Sequence, residues 1–429
     1  MRISFFILLL FVSLVSFSQY LPADVQTDFA SKQNREALRK KMIDTSINLN
    51  LKLPLADSTE GEWIDAFWAM ELLRVKNDFT ERKLTEAWKK AATLSEDFQS
   101  NLLEVSFSLY PKVFKEQAYA LLQKTSSIPV FVIAAEYVMD GGIGESDKVK
   151  IASLIPGKFP DINDNRLTIL AMRLEDGNEE RNTPPLADLF DKEFLPGKTV
   201  IYSLQRKNRN YTGLVIIRKA DGSFAKNEDG SLFAVPQLAK AITGFPFYIT
   251  NGNTPQGIYR WTGSEVSKLK LIGPTPNIQM VLPVEVNPLT YFNDSSLIST
   301  VWTKDLYARQ LPVSWKNYEG IYEAFYSGSV GRNSIIMHGT TVDPGYYKNE
   351  TYFPQTPSLG CLCSYEEWDD SGRRTLSYMQ EIVDETRKLD ASEGYVVVID
   401  LDDENKQVTA TDISEAVRSA ELRLLTAER

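Results

Sequence analysis

The sequence predicts a multidomain α+β protein, in which an N-terminal α-helical array precedes a mostly β domain. Glycine usage divides the chain, because 6 of its 23 glycines lie up to residue 195 and 17 lie after it. The first part carries apolar residues at helical spacing, as at Ala66, Met70 and Leu73. The second part carries short β-branched and aromatic runs separated by Asp-Gly and Asn-Gly turns, which is typical of strands.

Individual elements follow from the same periodicities. Helices are predicted at 35–44, 62–76, 80–92, 95–109, 113–124 and 130–139. Strands are predicted at 199–204, 213–218, 245–250, 257–261, 280–284 and 334–337. A later strand at 395–401 and a helix at 412–426 are predicted to form an appendage that packs on the preceding domain.

The domain boundaries follow from composition. Residues 176–198 form a polar stretch with several prolines, which places a boundary near Leu195. The predicted segments are a signal peptide at 1–18, a helical domain at 19–190, a mostly β domain at 195–385 and the C-terminal appendage at 386–429.

The N-terminus has the pattern of a secretory signal. One charge at Arg2 precedes an apolar run at 5–15, and Ser16 and Ser18 are the small residues that a signal peptidase reads. The alternative is an uncleaved anchor, but the run is shorter than the roughly 20 residues that span a bilayer. We therefore expect cleavage before Gln19, no transmembrane span in the mature chain, and export to the periplasm or cell envelope.

Composition excludes several classes of function. The 47 basic and 57 acidic residues give a net charge of −10, which argues against a nucleic-acid partner. The chain has one His and two Cys, and a zinc site built from these ligands would need nearly all of them, so we expect no metal and no cofactor. Two Cys separated by one residue cannot form a disulfide framework, so reactivity is the better explanation for them.

The only histidine and the first cysteine suggest nucleophilic catalysis. His338 follows an apolar strand, and Cys361 lies 361 − 338 = 23 positions later, directly after Gly360. An imidazole that accepts the thiol proton makes the sulfur a nucleophile, and a glycine lets backbone N–H groups approach a developing oxyanion. The alternative is structural, because a histidine at a strand end and a buried cysteine are common in protein cores.

The residues around them resemble a known family. The blocks are NGNTPQGIY at 251–259, IMHGT at 336–340 and SLGCL at 358–362. In this order they resemble the signature of the L,D-transpeptidase catalytic family, the YkuD-type domain, across roughly residues 198–385. The resemblance implies that Cys361 is the nucleophile, that His338 is the general base, and that the Gly339 carbonyl orients the imidazole. It also implies that N–H groups at Gly360 and Cys361 bind the oxyanion, and that Ser358 and Gly257 shape the pocket.

The chain departs from the family pattern in two ways. The family has Arg or Asn two residues after the nucleophile, where this chain has Cys363; Arg373, Arg374 or Arg332 are candidates to supply the missing cation. In addition, 338 − 257 = 81 positions separate Gly257 from His338. Aromatic residues in this insertion either form a lid or part of the substrate groove, or they fill a core, and they are Trp302, Trp315, Tyr318, Tyr322 and Tyr326.

The implied function is work on peptidoglycan. The thiolate would attack the carbonyl that precedes the terminal D-residue of a stem tetrapeptide, and carbapenems would acylate the same sulfur. Resolution of the thioester by an amine forms a cross-link, whereas resolution by water is carboxypeptidase activity, and both remain open. A catalytically degenerate wall-binding module is a third possibility. Papain-like and sortase-like enzymes are excluded, because no His follows Cys361 and because sortase motifs are spaced more widely.

Overall fold

The computed structural model describes residues 25–140, 145–175, 183–295, 297 and 299–427. The predicted signal peptide lies outside the described residues, as does the segment 176–182. Within them, an N-terminal helical array and a domain built on a mixed eight-stranded sheet form a two-part layout, which confirms the coarse prediction of an α+β protein with helices first. None of the described helices is long and apolar enough to cross a bilayer.

The array contains helices whose starts are capped by polar side chains. Helices α1 to α8 span Lys32–Lys41, Glu60–Leu73, Asp78–Lys90, Glu96–Leu109, Lys115–Lys124, Ile128–Asp140, Glu145–Lys158 and Asn165–Glu175. The side chains of Ser31, Asn77 and Ser95 accept backbone N–H groups in the first turns of α1, α3 and α4. The predicted stripe of Ala66, Met70 and Leu73 is buried on α2, so this face packs into the core of the array.

The second part is organised around one sheet. Strands β1 to β10 span Val200–Gln205, Gly213–Arg218, Val235–Gln237, Gly257–Val266, Pro276–Val281, Met337–His338, Leu362–Cys363, Glu366–Trp368, Arg374–Ser377 and Gly394–Asp400. The sheet order is β3-β2-β1-β10-β4-β5-β6-β7, and β8 and β9 form a separate hairpin. The β1–β10 and β6–β7 pairs are parallel, and the remaining pairs are antiparallel.

The predicted strand at 245–250 is wrong. This segment forms turns, in which the Ile249 N–H donates to the Pro246 carbonyl at 3.1 Å. Its aromatic residues Phe245 and Tyr248 are buried in the same hydrophobic core as the helices of the array. The apolar run therefore packs into the core of the array, which is separate from the cores on the two faces of the sheet.

The prediction of a C-terminal appendage at 386–429 is also wrong. Strand β10 lies between β1 and β4, and all seven of its residues are buried. The chain reaches it through helix α13, Tyr378–Lys388, and leaves it for helix α14, Ala410–Ala427. Helix α14 packs against α9, Leu186–Phe190, so the end of the chain completes the sheet domain.

The aromatic residues of the long insertion fill a core. Trp315, Tyr318 and Tyr322 are buried, and Trp302 and Tyr326 pack partly buried against the same cluster. The insertion also contains the short helices α10 to α12, which span Pro288–Phe292, Lys304–Ala308 and Glu323–Ser329. Of the two alternatives drawn from the sequence, the structure supports the core.

Candidate active site

The parallel β6–β7 pair places the histidine and both cysteines on one face. His338 is in register with Cys363, and the Leu362 N–H donates to the Ile336 carbonyl at 3.0 Å, which sets Cys361 beside Ile336. Alternate residues of a strand share a face, so the Cys361 side chain lies diagonally across from the imidazole. All three side chains line one cavity of about 810 Å³, which we call the thiol cavity.

The imidazole is held as a neutral base. Its Nδ1 lies 2.5 Å from the Gly339 carbonyl oxygen, which fixes Nδ1 as the protonated nitrogen and leaves the lone pair on Nε2. His338 is buried, and burial lowers its pKa below the ordinary value, although the carbonyl acts in the opposite direction. The resemblance assigned this carbonyl to His338, and the geometry places it there.

A buried carboxylate supports the Gly339 backbone from behind. A Cβ at Gly339 would lie 2.3 Å from the Glu366 carboxyl carbon, so only glycine fits at this position. Glu366 accepts the Thr340 N–H at 3.0 Å and the Thr275 and Ser377 hydroxyls at 2.5 and 2.6 Å. Burial raises the pKa of Glu366 to about 7, against the effect of these donors. Sequence analysis missed Glu366, because only the tertiary fold brings it beneath the histidine loop.

The Cys361 sulfur is in its neutral, protonated form at rest. Sγ lies 3.5 Å from the Ile336 N–H and 3.8 Å from the Ser334 carbonyl oxygen. Burial raises the pKa of the thiol, whereas the Ile336 N–H and the charge of Arg332 act to lower it. Across the described ranges the sulfur makes no hydrogen bond to His338, and such contacts often tighten only when substrate binds.

The turn before Cys361 is built around Ser358 and Gly360. Ser358 Oγ accepts the Gly360 N–H at 3.1 Å and donates to the Cys361 carbonyl at 2.8 Å. Gly360 has φ +105°, and a Cβ there would meet Arg332 Nη2 at 2.3 Å and the Gly252 carbonyl at 2.5 Å. In the part of the chain that the structure describes, no acceptor takes the Cys361 N–H. This N–H is therefore available to a developing oxyanion.

The structure separates the three candidate arginines. Arg332 lies directly behind the turn, where its Nη2 and Nη1 donate to the Gly252 and Asn253 carbonyls, each at 2.9 Å. Arg374 lies in the β8–β9 hairpin, where it donates to the Thr275 hydroxyl at 2.6 Å and is 3.7 Å from Glu366.

Neither Arg373 nor Arg374 lines the thiol cavity. Of the three candidates, Arg332 is the one whose charge acts on Cys361, and it contacts the turn at Gly360 without lining the cavity.

Two further predicted positions have packing roles. Gly257 has φ +136° and lies against Ala324 and the Tyr307 hydroxyl, away from the thiol cavity. Cys363 is 1% exposed, its sulfur lies 3.7 Å from Thr356 Oγ1, and burial raises its pKa to about 12. Cys363 therefore gives the cavity an uncharged surface.

The walls of the thiol cavity come from two parts of the chain. On one side is the segment 265–272, which continues from β4, and on the other are Trp68 and Leu72 of helix α2. Large apolar side chains at the mouth are exposed: Trp68 40%, Leu269 66% and Leu359 51%. The helical array is therefore part of the site, and the walls of the cavity are largely apolar but also carry Glu265, Lys268 and Lys270.

Comparisons of the chain with protein-family models, with curated proteins and with solved structures find no match.

Proposed function

We propose that the protein is a cysteine-dependent acyltransferase of the L,D-transpeptidase class, which cross-links peptidoglycan stem peptides in the cell envelope. The observation that carries the proposal is the shared cavity of Cys361 and His338, with the Gly339 carbonyl on Nδ1. The order of the three sequence blocks supports the class, and the N-terminal signal pattern supports export.

The first half-reaction is acylation. A stem tetrapeptide binds with the carbonyl that precedes its terminal D-residue beside Cys361, and His338 Nε2 takes the thiol proton as Sγ attacks. The Cys361 N–H receives the oxyanion of the tetrahedral intermediate. The intermediate collapses when His338 returns the proton to the leaving nitrogen, which releases the free D-amino acid and leaves a thioester on Cys361.

The second half-reaction transfers the acyl group. An amine from a neighbouring stem attacks the thioester, and His338 takes a proton from it as the new amide forms. The proton then passes to the departing Cys361 sulfur, which restores the resting pair. Because both resting groups are uncharged, each proton transfer accompanies bond formation rather than preceding it as a stable ion pair.

The proposal is tested by incubating the purified protein with a stem tetrapeptide donor and an amine acceptor, and then analysing products by mass spectrometry. We expect a cross-linked dimer and free D-amino acid from the native chain, and neither from Cys361→Ala. Cys363→Ser is the matched control and should retain activity, because Cys363 only lines the cavity.

The product distribution decides between the alternatives. A trimmed tripeptide without dimer identifies a carboxypeptidase-type hydrolase of the same site. Full activity in Cys361→Ala contradicts the proposal, and wall binding without any product identifies a degenerate wall-binding module.

A further inference from the structure

A second cavity of about 370 Å³ lies between helices α6 and α8 of the array and the sheet domain. It is lined by four carboxylates and three cations, and we call it the charged cavity; its charged residues are Glu136, Asp140, Arg173, Lys207, Arg209, Glu323 and Asp400. The lining therefore carries one excess negative charge when all seven groups are ionised. Nothing in the proposed acyl transfer uses this cavity.

One wall holds a paired arginine that keeps an accessible face. Arg173 Nε and Nη2 donate to the two oxygens of Glu136, at 2.7 and 3.1 Å, and Tyr248 also donates to Glu136 at 2.5 Å. The Glu136 side chain is 4% exposed, whereas that of Arg173 is 38% exposed. A guanidinium carries five N–H donors, so Arg173 presents further donors to the cavity.

Another part of the lining holds an ion pair whose arginine already donates to several protein acceptors. Arg209 and Asp400 form a buried ion pair. Arg209 also donates to the carbonyls of Arg206 at 3.1 Å and Thr254 at 3.2 Å. This pair contributes little net charge, and it fixes the shape of the wall.

The lining also includes a carboxylate that forms no direct ion pair. Glu323 accepts the Gln256 N–H at 2.9 Å and the Gln256 side-chain amide at 3.4 Å. In the described ranges no cation lies within ion-pair distance of it. Burial and the neighbouring Asp400 raise the pKa of Glu323 to about 7, although the charges of Arg209 and Arg173 act to lower it. The two arginines therefore compensate the desolvation of this carboxylate only in part, and a ligand ammonium in direct contact would compensate it further.

We propose that the charged cavity binds a small α-amino acid in its zwitterionic form, with the ammonium on Glu323 and the carboxylate on Arg173. The excess negative charge of the lining favours amino acids with a neutral or cationic side chain over acidic ones. The volume is in the range of small-molecule sites. The inference does not depend on acyl transfer, because none of its ligating groups lines the thiol cavity.

Isothermal titration of the full chain tests the proposal with glycine, lysine and glutamate as probes. We expect saturable binding of glycine and lysine with a Kd below about 1 mM, and much weaker binding of glutamate. N-acetylglycine lacks the ammonium, and ethylamine lacks the carboxylate, so neither should compete. Failure of both glycine and lysine to bind, or binding of ethylamine as tight as that of glycine, overturns the proposal.

A pair of variants locates the site. Glu323→Gln keeps the shape of the side chain but not its charge, and it should weaken glycine binding at least about tenfold. Glu319→Gln is the matched control, because Glu319 pairs with Lys304 at 2.7 Å and does not line the cavity. Equal binding by both variants places the ligand elsewhere and refutes the proposal. If Glu323→Gln does not fold, the probe series on the native chain still decides.

Discussion

The thiol cavity and the charged cavity lie between the same two parts of the molecule, yet their linings are opposite in character. The array gives the thiol cavity Trp68 and Leu72, and it gives the charged cavity Glu136 and Arg173. The sheet domain completes the first with a neutral thiol and imidazole, and the second with Glu323 and a buried ion pair.

The contrast indicates what each lining is able to do. Burial keeps Cys361 and His338 uncharged, which suits a reaction in which a proton moves during bond formation. Fixed opposite charges instead suit recognition of a ligand that carries both signs. The two cavities are close to each other near Cys361, because Thr254 lines the charged cavity and donates to the Gly360 carbonyl at 3.0 Å.

The largest expected effect is a loss of Cys361 acylation that leaves ligand binding in the charged cavity unchanged. His338→Ala removes the base and should lower the rate constant of Cys361 acylation by a carbapenem about 10²- to 10⁴-fold. Glycine binding to the charged cavity should stay unchanged, and added imidazole should restore part of the rate. Acylation at the native rate in this variant would show that the imidazole is not the base.

The pH dependence of acylation tests whether His338 is neutral in the resting protein. The pKa of His338 is lowered by burial, so the imidazole stays neutral and active until the pH falls below its ordinary value of about 6.5. The acylation rate should therefore be flat near neutral pH and fall about tenfold per unit below the shifted pKa. A profile that already declines between pH 8 and 7 would be inconsistent with a buried neutral imidazole.

A smaller effect is expected at the support beneath the histidine loop. Glu366→Gln places an amide N–H₂ among groups that donate to the carboxylate, which are the Thr340 N–H and the Thr275 and Ser377 hydroxyls, and one donor loses its partner. We expect about a tenfold loss in kcat with little change in KM, because the Gly339 carbonyl no longer fixes the imidazole. Glu367→Gln, at the exposed neighbouring position, is the control and should match the native chain.

The smallest effect tests whether the helical array contributes to the thiol cavity. Trp68→Ala removes an exposed indole from the apolar wall and should raise KM for the stem tetrapeptide about fivefold, with kcat unchanged. The control is Val313→Ala, because Val313 is 83% exposed and lies outside the thiol cavity. Equal KM values in the two variants would show that the array does not contribute to substrate binding.

The sequence could predict those parts of the site that are local in the chain. The turn at Ser358–Gly360 and the contact between His338 and Gly339 each form between residues that are close in the sequence. The sequence motif therefore indicates the local conformation directly. Glu366, Arg332 and Trp68 reach the site only through tertiary packing, which no spacing rule captures.

The errors in the fold have the same origin. The run 245–250 carries aromatic and β-branched residues, which are equally suited to a strand and to the core of a helical domain. Its tertiary contacts are with the helices of the array, so it forms turns in that core. Strand β10 was misplaced because its partner β1 lies about 195 residues earlier, as Val200 pairs with Tyr395. Parallel pairing over such a distance leaves no local signal.

Peptide mapping after exposure to a carbapenem tests directly whether Cys361 and His338 form the reacting pair. We expect one adduct per chain on Cys361, formed rapidly in the native protein and slowly in His338→Ala. An adduct on Cys363, or one that forms at the same rate without the imidazole, would contradict it.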